Sequence, residues 1–327
     1  MLHNQILKFF LKINFKGGLN LNRVAIIDIG SNSLKLIMAD IYDNKFFQIS
    51  YEKKVKLRLS NYKNRANDIT ALGIKNLNKA LEELKKICTL YRCNRIIAVA
   101  TETLRKAGNG PQIIEELKES LNLDVKIISG KEEAYYGFIS SVNSVNLRDF
   151  LQIDIGGSSC EIVLVKDKKL IESISLPYGS IPNTKNFNLL NKVSEEDELK
   201  FKETIFKELD KYPWIKENKN LPVVGIGGSV RCVEKILRNH AFDDIDIQLD
   251  NYVISYKNIN SLFNIVKRLN LQQKKEIKGM SSNRADIFVG CLILIKYLMF
   301  YINSDKLSIS KFGIREGILF EYAESLN

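Results

Sequence analysis

The sequence predicts an α/β protein made of two copies of one plan, each a mixed sheet with flanking helices, facing each other across a cleft. Three observations lead there. Asp28-Ile29-Gly30-Ser31-Asn32-Ser33 returns as Asp154-Ile155-Gly156-Gly157-Ser158-Ser159, 126 residues later. The same order of strand-like and helix-like runs follows each copy, and chance rarely reproduces both residues and element order at domain scale. Five prolines and no Gly/Ser-rich tract in 327 residues leave no flexible linker, so the lobes should be closely joined.

The first copy opens with strands at Val24–Ile29, Leu34–Ile41 and Phe46–Tyr51. A helix follows, with Ile74, Leu77, Leu81, Leu84, Cys88 and Tyr91 spaced by threes and fours. Strand Arg95–Ala100, a helix starting near Pro111, strand Val125–Ile128 and a helix from Lys131 complete it. The second copy reads as strands Phe150–Ile155, Ile162–Val165 and Leu170–Leu176, helix Glu195–Leu209, strand Val223–Ile226 and helix Val230–Arg238. Helices Asn258–Leu269 and Ala285–Tyr301, strand Leu307–Ser310 and a helix from Arg315 close the chain. The predicted division is an extension over 1–21, poorly ordered, a first lobe over 22–136 and a second over 137–314. The C-terminal helix 315–327 is expected to pack on the first lobe.

Composition narrows the function. The balance of 49 Lys+Arg against 38 Asp+Glu, a net +11, suits a polyanionic ligand without saying which. Five cysteines without a CxxC pair argue for reduced thiols and against structural zinc, which points to the cytoplasm. Two histidines leave little room for histidine acid–base chemistry. Cys232 and Arg238 form a literal C-x5-R, but the residues between them hold no glycine and read as helix, whose interior N–H groups are already used. The longest apolar run, in Ala285–Tyr301, is too short to span a bilayer, so stable membrane insertion is not expected.

The chemistry gathers in three Gly/Ser turns at strand ends, Gly30–Ser33, Gly156–Ser159 and Gly225–Ser229. Glycine lets the backbone approach a phosphate, and consecutive N–H groups with serine hydroxyls bind its oxygens. One such turn would be an ordinary hairpin; three within a duplicated plan point to phosphate binding by Gly30, Ser31, Asn32, Ser33, Gly156, Gly157, Ser158, Ser159, Gly227, Gly228 and Ser229. Asp28, Asp154 and Glu161 sit at the edges of the turns, where they would repel phosphate unless a hard cation such as Mg²⁺ lay between. Arg105 follows a strand end, where ligand-facing residues of α/β sheets collect. Glu132 and Glu133 stand in the first turn of a helix, where a carboxylate can be a catalytic base or merely complement the helix dipole. The residues alone leave that open.

Taken in order, DIGSNSLKL at Asp28–Leu36, TETLR at Thr101–Arg105, ISGKEEA at Ile128–Ala134, DIGGSSCE at Asp154–Glu161, GIGGS at Gly225–Ser229 and GIREG at Gly313–Gly317 resemble the exopolyphosphatase/guanosine pentaphosphate phosphatase family, a branch of the actin-like (ribonuclease H-like) superfamily. The resemblance runs from about Arg23 to Glu321. It implies that Glu133 activates the attacking water, that Asp154 and Glu161 hold a divalent cation, and that Arg105 binds phosphate; Asp28 is expected to reach that cation through water. It also implies polyphosphate or guanosine penta- and tetraphosphate as ligands, Mg²⁺ or another divalent cation with K⁺ as an optional companion, no specific nucleic acid, and room for a homodimer. Longer members continue into an HD-type helical domain, which is not expected here. The sequence departs from the family at Lys35, Ser158, Cys160 and Pro182. The expected function is release of terminal orthophosphate by in-line attack of water. The rival readings are an actin-like ATPase or kinase, and a non-catalytic polyphosphate or alarmone sensor.

Overall fold

The computed structural model describes residues 22–42, 45–239 and 253–326. The predicted extension over 1–21 therefore lies outside the described residues. The first sheet is built from β1 (Asn22–Ile29), β2 (Ser33–Ile41), β3 (Phe47–Lys56), β4 (Arg95–Ala100) and β5 (Val125–Ile127), in the order β3-β2-β1-β4-β5. Its helices are α1 (Ala71–Leu90), the single turn α2 (Glu102–Arg105) and α3 (Gly110–Leu121). After α4 (Gly130–Ser144) comes β6 (Phe150–Ile155), β7 (Cys160–Lys166) and β8 (Lys169–Leu176), then α5 (Ser180–Asn186), α6 (Glu195–Leu209) and α7 (Pro213–Glu217). Next are β9 (Val223–Ile226), α8 (Gly228–Arg238), β10 (Val253–Ser255), α9 (Tyr256–Val266), α10 (Leu271–Glu276), α11 (Phe288–Tyr301), β11 (Lys306–Ile309) and α12 (Ile314–Ser325). The second sheet runs β10-β11-β9-β6-β7-β8.

The duplication holds down to register. In each sheet a central strand pairs antiparallel with the next strand and parallel with the one after the crossover, β1 with β2 and β4, β6 with β7 and β9. Asp28 faces Lys35 across β1–β2, and Asp154 faces Glu161 across β6–β7, each pair shifted by the same 126 residues. Even the irregularity recurs: the β2–β3 register shifts between Met38 and Ala39, and the β7–β8 register between Leu164 and Val165.

Central strands are buried on both faces, which explains why β1 reads as a continuous apolar run. Because side chains alternate along a strand, Ala25, Ile27 and Ile29 face the core under α1, while Val24 and Ile26 face α12 through Ile318, Leu319 and Ala323. β6 divides likewise: Leu151, Ile153 and Ile155 join the core around α11, and Phe150 packs with Ala134 of α4. α11 is buried from Phe288 to Met299 on every side, so it is a core helix. No described helix is long and apolar enough to cross a membrane. Each fully buried Leu or Ile in these layers contributes about 1.5–3 kcal/mol.

α4 and α12 form the layer between the sheets. α4 packs on the second sheet, α12 on the first, and the two helices cross in contact with each other. Their closest approach is at Gly317, where any Cβ would run into the Tyr136 backbone carbonyl. The 136/137 division read from sequence thus falls inside α4.

Most predicted elements appear within a few residues. Helix Ala285–Tyr301 starts at Phe288, and Val230–Arg238 starts at Gly228. The short α2, α5, α7 and α10 and the three-residue β10 carried too few residues for a periodic signal. The C-x5-R pair lies along α8, with Cys232 buried and Arg238 bonded to Glu234, so it forms no cradle.

Candidate active site

The ends of β1, β4, β6 and β9 open on one cleft between the lobes. The first two Gly/Ser turns are built alike. Gly30 N donates to Ser33 O at 3.3 Å, and Gly156 N donates to Ser159 O at 3.0 Å. The turns meet face to face: a Cβ on Gly157 would stand 3.0 Å from the Ser31 Cβ. The second turn is further held by α5, whose Ser180 N and Ile181 N donate to Gly156 O at 3.0 Å and Gly157 O at 2.8 Å. Pro182 sits in the first turn of α5, where no N–H is required, so it is accommodated without a lost bond.

The third turn is a helix N-terminus. Gly227 has φ 108°, a left-handed conformation costly for other residues, and a Cβ there would lie 2.9 Å from Ile155 O. From Gly228, α8 aims its unpaired N–H groups at the cleft, a ready anion site. Asp28, Gly30–Ser33, Glu133, Asp154, Gly156–Ser159, Glu161, Gly227 and Gly228 all line this cleft. Ser229 does not; it is buried and accepts a 2.8 Å hydrogen bond from Arg284 Nη1, which takes its place in the wall. Cys160, one of the departures, points into the core away from the cleft, because strand alternation sends its neighbour Glu161 the other way.

The paired glutamates of α4 separate cleanly. Ser129 caps the helix, its Oγ accepting from Glu132 N at 3.2 Å while Glu132 Oε2 accepts from Ser129 N at 2.7 Å. Glu132 also pairs with Lys126 at 2.5 Å, and the Lys126 and backbone hydrogen bonds draw its pKa down to about 2. Glu133, one residue on, is 4% exposed and faces the cleft. Arg105 Nη1 donates to its Oε2 at 2.5 Å. Burial pushes the Glu133 pKa up to about 8 against the pull of Arg105, with Asp28 and Asp154 adding to the rise.

Arg105, expected on phosphate, is engaged by protein groups in this structure. Its guanidinium donates to Glu133, to Glu102 and to Ile128 O at 2.6 Å, and it lies behind the cleft wall rather than in it. Its contacts are those of a residue that orients Glu133. The cations that do reach the cleft are Lys35, Arg231, Arg284 and Arg315. Three had a signal in the sequence: Lys35 lies within DIGSNSLKL, Arg231 follows the GIGGS turn in the first turn of α8, and Arg315 lies within GIREG. Arg284 had none, since only the tertiary fold brings the segment before α11 against Ser229.

The acidic residues divide in the same way. Lys35 Nζ binds Asp28 Oδ2 at 2.8 Å. Asp154 and Glu161 are 7% and 2% exposed, and Glu161 accepts from Ser175 Oγ at 2.7 Å. Burial lifts the Asp154 pKa to about 6 despite Lys35 and Arg231, and lifts Glu161 well above the carboxylate range, with Glu133 and Asp154 reinforcing it. Hard oxygen donors crowded in this way suit a hard cation, whose charge would relieve them. Among the described residues no three acidic or thiol/imidazole groups close around one ion, so Asp28, Asp154 and Glu161 are not a ready-made cage. That still fits Mg²⁺, which usually takes one or two carboxylates and completes its shell with water and substrate phosphate.

Fold and cleft together define an actin-like, two-lobed α/β protein with a cleft lined by Gly/Ser turns between its lobes. Residues 37–326 match the Ppx/GppA phosphatase family, and the chain belongs to it. It is 29% identical to a bifunctional 3-dehydroquinate synthase/phosphatase of Fusobacterium nucleatum over 92% of this chain, and spans 46% of that protein's length. It is 20% identical to exopolyphosphatase 1 of Mycobacterium tuberculosis, covering 93% of this chain and 89% of that one. The crystal structure of the Aquifex aeolicus Ppx/GppA family member superposes with a TM-score of 0.80 at 27% identity, over 94% of this chain and 99% of the other.

Proposed function

We propose that the chain hydrolyses phosphoric anhydrides, releasing terminal orthophosphate from inorganic polyphosphate or guanosine pentaphosphate. The observation that carries this reading is Glu133: a buried carboxylate, bonded to Arg105, in a cleft that three Gly/Ser turns share. A base with a pKa near the working pH, held within reach of a bound phosphoryl group, is what proton removal from water requires.

In this reading the backbone N–H groups of Gly30–Ser33, Gly156–Ser159 and the α8 N-terminus hold the terminal phosphoryl oxygens. Lys35, Arg284 and Arg315 add charge where it develops in the transition state. Glu133 aligns a water with the phosphorus and takes its proton as the new P–O bond forms and the bond to the leaving oxygen breaks. Positioning dominates such transfers, so the rigid Arg105–Glu133 contact matters as much as basicity. Asp154 and Glu161 would hold a divalent cation, which when bound neutralises phosphate charge and orients the anhydride. Asp28, tied to Lys35, would reach that cation only through water.

The basic wall continues out of the cleft as a groove lined by Lys53, Lys54, Arg231, Lys235, Arg284 and Arg315. Desolvation and then the neighbouring Arg284, Lys35, Arg231 and Lys56 lower the Lys54 pKa to about 8, a sign of concentrated positive charge. This favours a linear polyanion that extends past the reacting phosphate. The test is orthophosphate release from polyphosphate and from guanosine pentaphosphate, each with and without Mg²⁺. Mg²⁺-dependent release from at least one is expected; release from neither refutes the reading.

A further inference from the structure

One segment of the second lobe, residues 281–287, is gripped by the first lobe while it holds the third turn. Arg58, just beyond β3, has φ 51° and ψ 51°, and its backbone N donates to Asn32 O at 3.0 Å. Ser60 N donates to Ser31 O at 3.2 Å. The strap around Arg58 is thus bonded to the first phosphate turn. Its side chains cross to the other lobe: Arg58 Nη2 meets Asp286 Oδ2 at 2.5 Å, and Lys56 Nζ donates to Asn283 Oδ1 at 2.9 Å. Two residues before Asp286, Arg284 reaches Ser229 of the third turn.

The Arg58–Asp286 pair is half made. Arg58 Nε and Asp286 Oδ1 are both buried, and neither has a hydrogen-bond partner within the protein. Buried polar groups are normally paired, because an orphaned donor or acceptor forfeits its hydration without return. Nε and Nη2 lie on one edge of the guanidinium and match both oxygens of a carboxylate in a two-bond fork. The orphaned atoms are therefore the two halves of the missing bond. With Nη2 and Oδ2 already in contact, a small rotation of the lobes about this edge would bring Nε onto Oδ1 and form it.

We infer that Arg58 and Asp286 are positioning residues that form a lobe-closing latch: one bond is made here, and the second, Nε–H to Oδ1, forms when the lobes close on an anion in the cleft. Arg58 moves with the first turn and Asp286 with the segment that holds the third, so completing the fork fixes the spacing of the turns around the phosphoryl group. The latch rests on the reading of the cleft as a phosphate site, and not on which anhydride is cut.

The discriminating variant is Arg58→Lys. A lysine keeps a single charged contact to Asp286 but cannot form the fork. Spin labels on the exposed positions 75 and 203, one on each lobe, with half-buried Cys93 replaced by Ser, would report the interlobe distance. The probe is methylenediphosphonate with Mg²⁺, a non-hydrolysable anhydride analogue. The distance should shorten on adding it to the parent chain and shorten less in Arg58→Lys. Turnover on polyphosphate should fall roughly 10–100-fold in Arg58→Lys, with a smaller change in KM and an unchanged melting temperature. Equal closure in both proteins, or no closure in the parent, overturns the latch. So does parental turnover in Arg58→Lys. If the parent hydrolyses neither substrate, the proposed function fails, while the distance measurement still decides the latch.

Discussion

The two Gly/Ser turns share a backbone and differ in one cross-strand residue. Asp28 of the first lobe faces Lys35, and Asp154 of the second faces Glu161, at positions related by the duplication. The lysine reaches across to Asp28 and compensates its charge. The glutamate instead sets a second buried carboxyl beside Asp154; burial lifts both above their ordinary pKa values, with Glu133 and Asp154 adding to the rise at Glu161, and Asp28 and Glu316 adding to it at Asp154. A single change of sign thus gives two copies of one turn different electrostatic surroundings. In the proposed function, the first-lobe turn would face an anion and the second-lobe turn would hold a cation. Glu133 belongs to neither turn and reaches the cleft from the helix between the lobes.

The comparison can be broken most severely at Glu133, where both turns converge. Glu133→Gln keeps shape and hydrogen bonding and removes the base, so turnover should fall roughly 10²–10⁴-fold. Substrate affinity should survive, as uniform binding is untouched. Loss of affinity with unchanged turnover would place Glu133 in binding.

Next in size is a stability effect confined to the second lobe. Glu198 accepts from Lys267, Lys296 and Tyr297, each at 2.7 Å. Burial opposes its ionisation, but these bonds prevail and draw its pKa down to about 2. A depressed carboxylate pKa stabilises the fold above the unfolded value and loses that contribution as pH falls through the folded one. Glu198→Gln should cost about 2 kcal/mol at pH 7 by denaturant unfolding. The gap to the parent should narrow as pH drops from about 4.5 towards about 2. Mg²⁺ dependence should not move, which separates second-lobe stability from second-lobe chemistry.

The groove sharpens the anion side. Lys53→Ala with Lys235→Ala should raise KM for long polyphosphate about fivefold at low salt, with little effect on tripolyphosphate. Added salt should erase the difference. Equal effects on both chain lengths would mean that the groove does not carry the distal phosphates. Smallest of all, Glu132→Gln should change turnover less than about twofold, since Gln can still close the capping box with Ser129. Steady-state rates of the neighbouring substitutions at 132 and 133 make that contrast directly.

Much of this was legible in the sequence because the signals were local. The repeated Asp-Ile-Gly motif announced the duplication, apolar runs marked the central strands, and three turns foretold one cleft. What escaped was set by distance or by shortness. α2 and α5 are too short to show a helical period, yet α2 carries Arg105 and α5 holds the second turn. Arg105 was expected to face ligand from its place after a strand, and to bind phosphate from the family resemblance; only the fold shows that it also bonds Glu102 and Glu133. The residues alone did not separate Glu132 from Glu133, though the family resemblance pointed to Glu133; the cap of α4 shows that the helix uses Glu132. Arg284 enters the cleft through contacts across more than fifty residues, which no local pattern encodes.

The division of labour between the turns is tested most directly by the Mg²⁺ dependence of orthophosphate release in Asp28→Asn and Asp154→Asn. The account predicts that Asp154→Asn raises the Mg²⁺ concentration for half-maximal rate by roughly 10–100-fold, as expected for losing a metal-binding carboxylate. Asp28→Asn, which leaves Lys35 free to face the anion, should leave that concentration within about threefold of the parent. Equal shifts in the two variants, or a larger shift in Asp28→Asn, would contradict it.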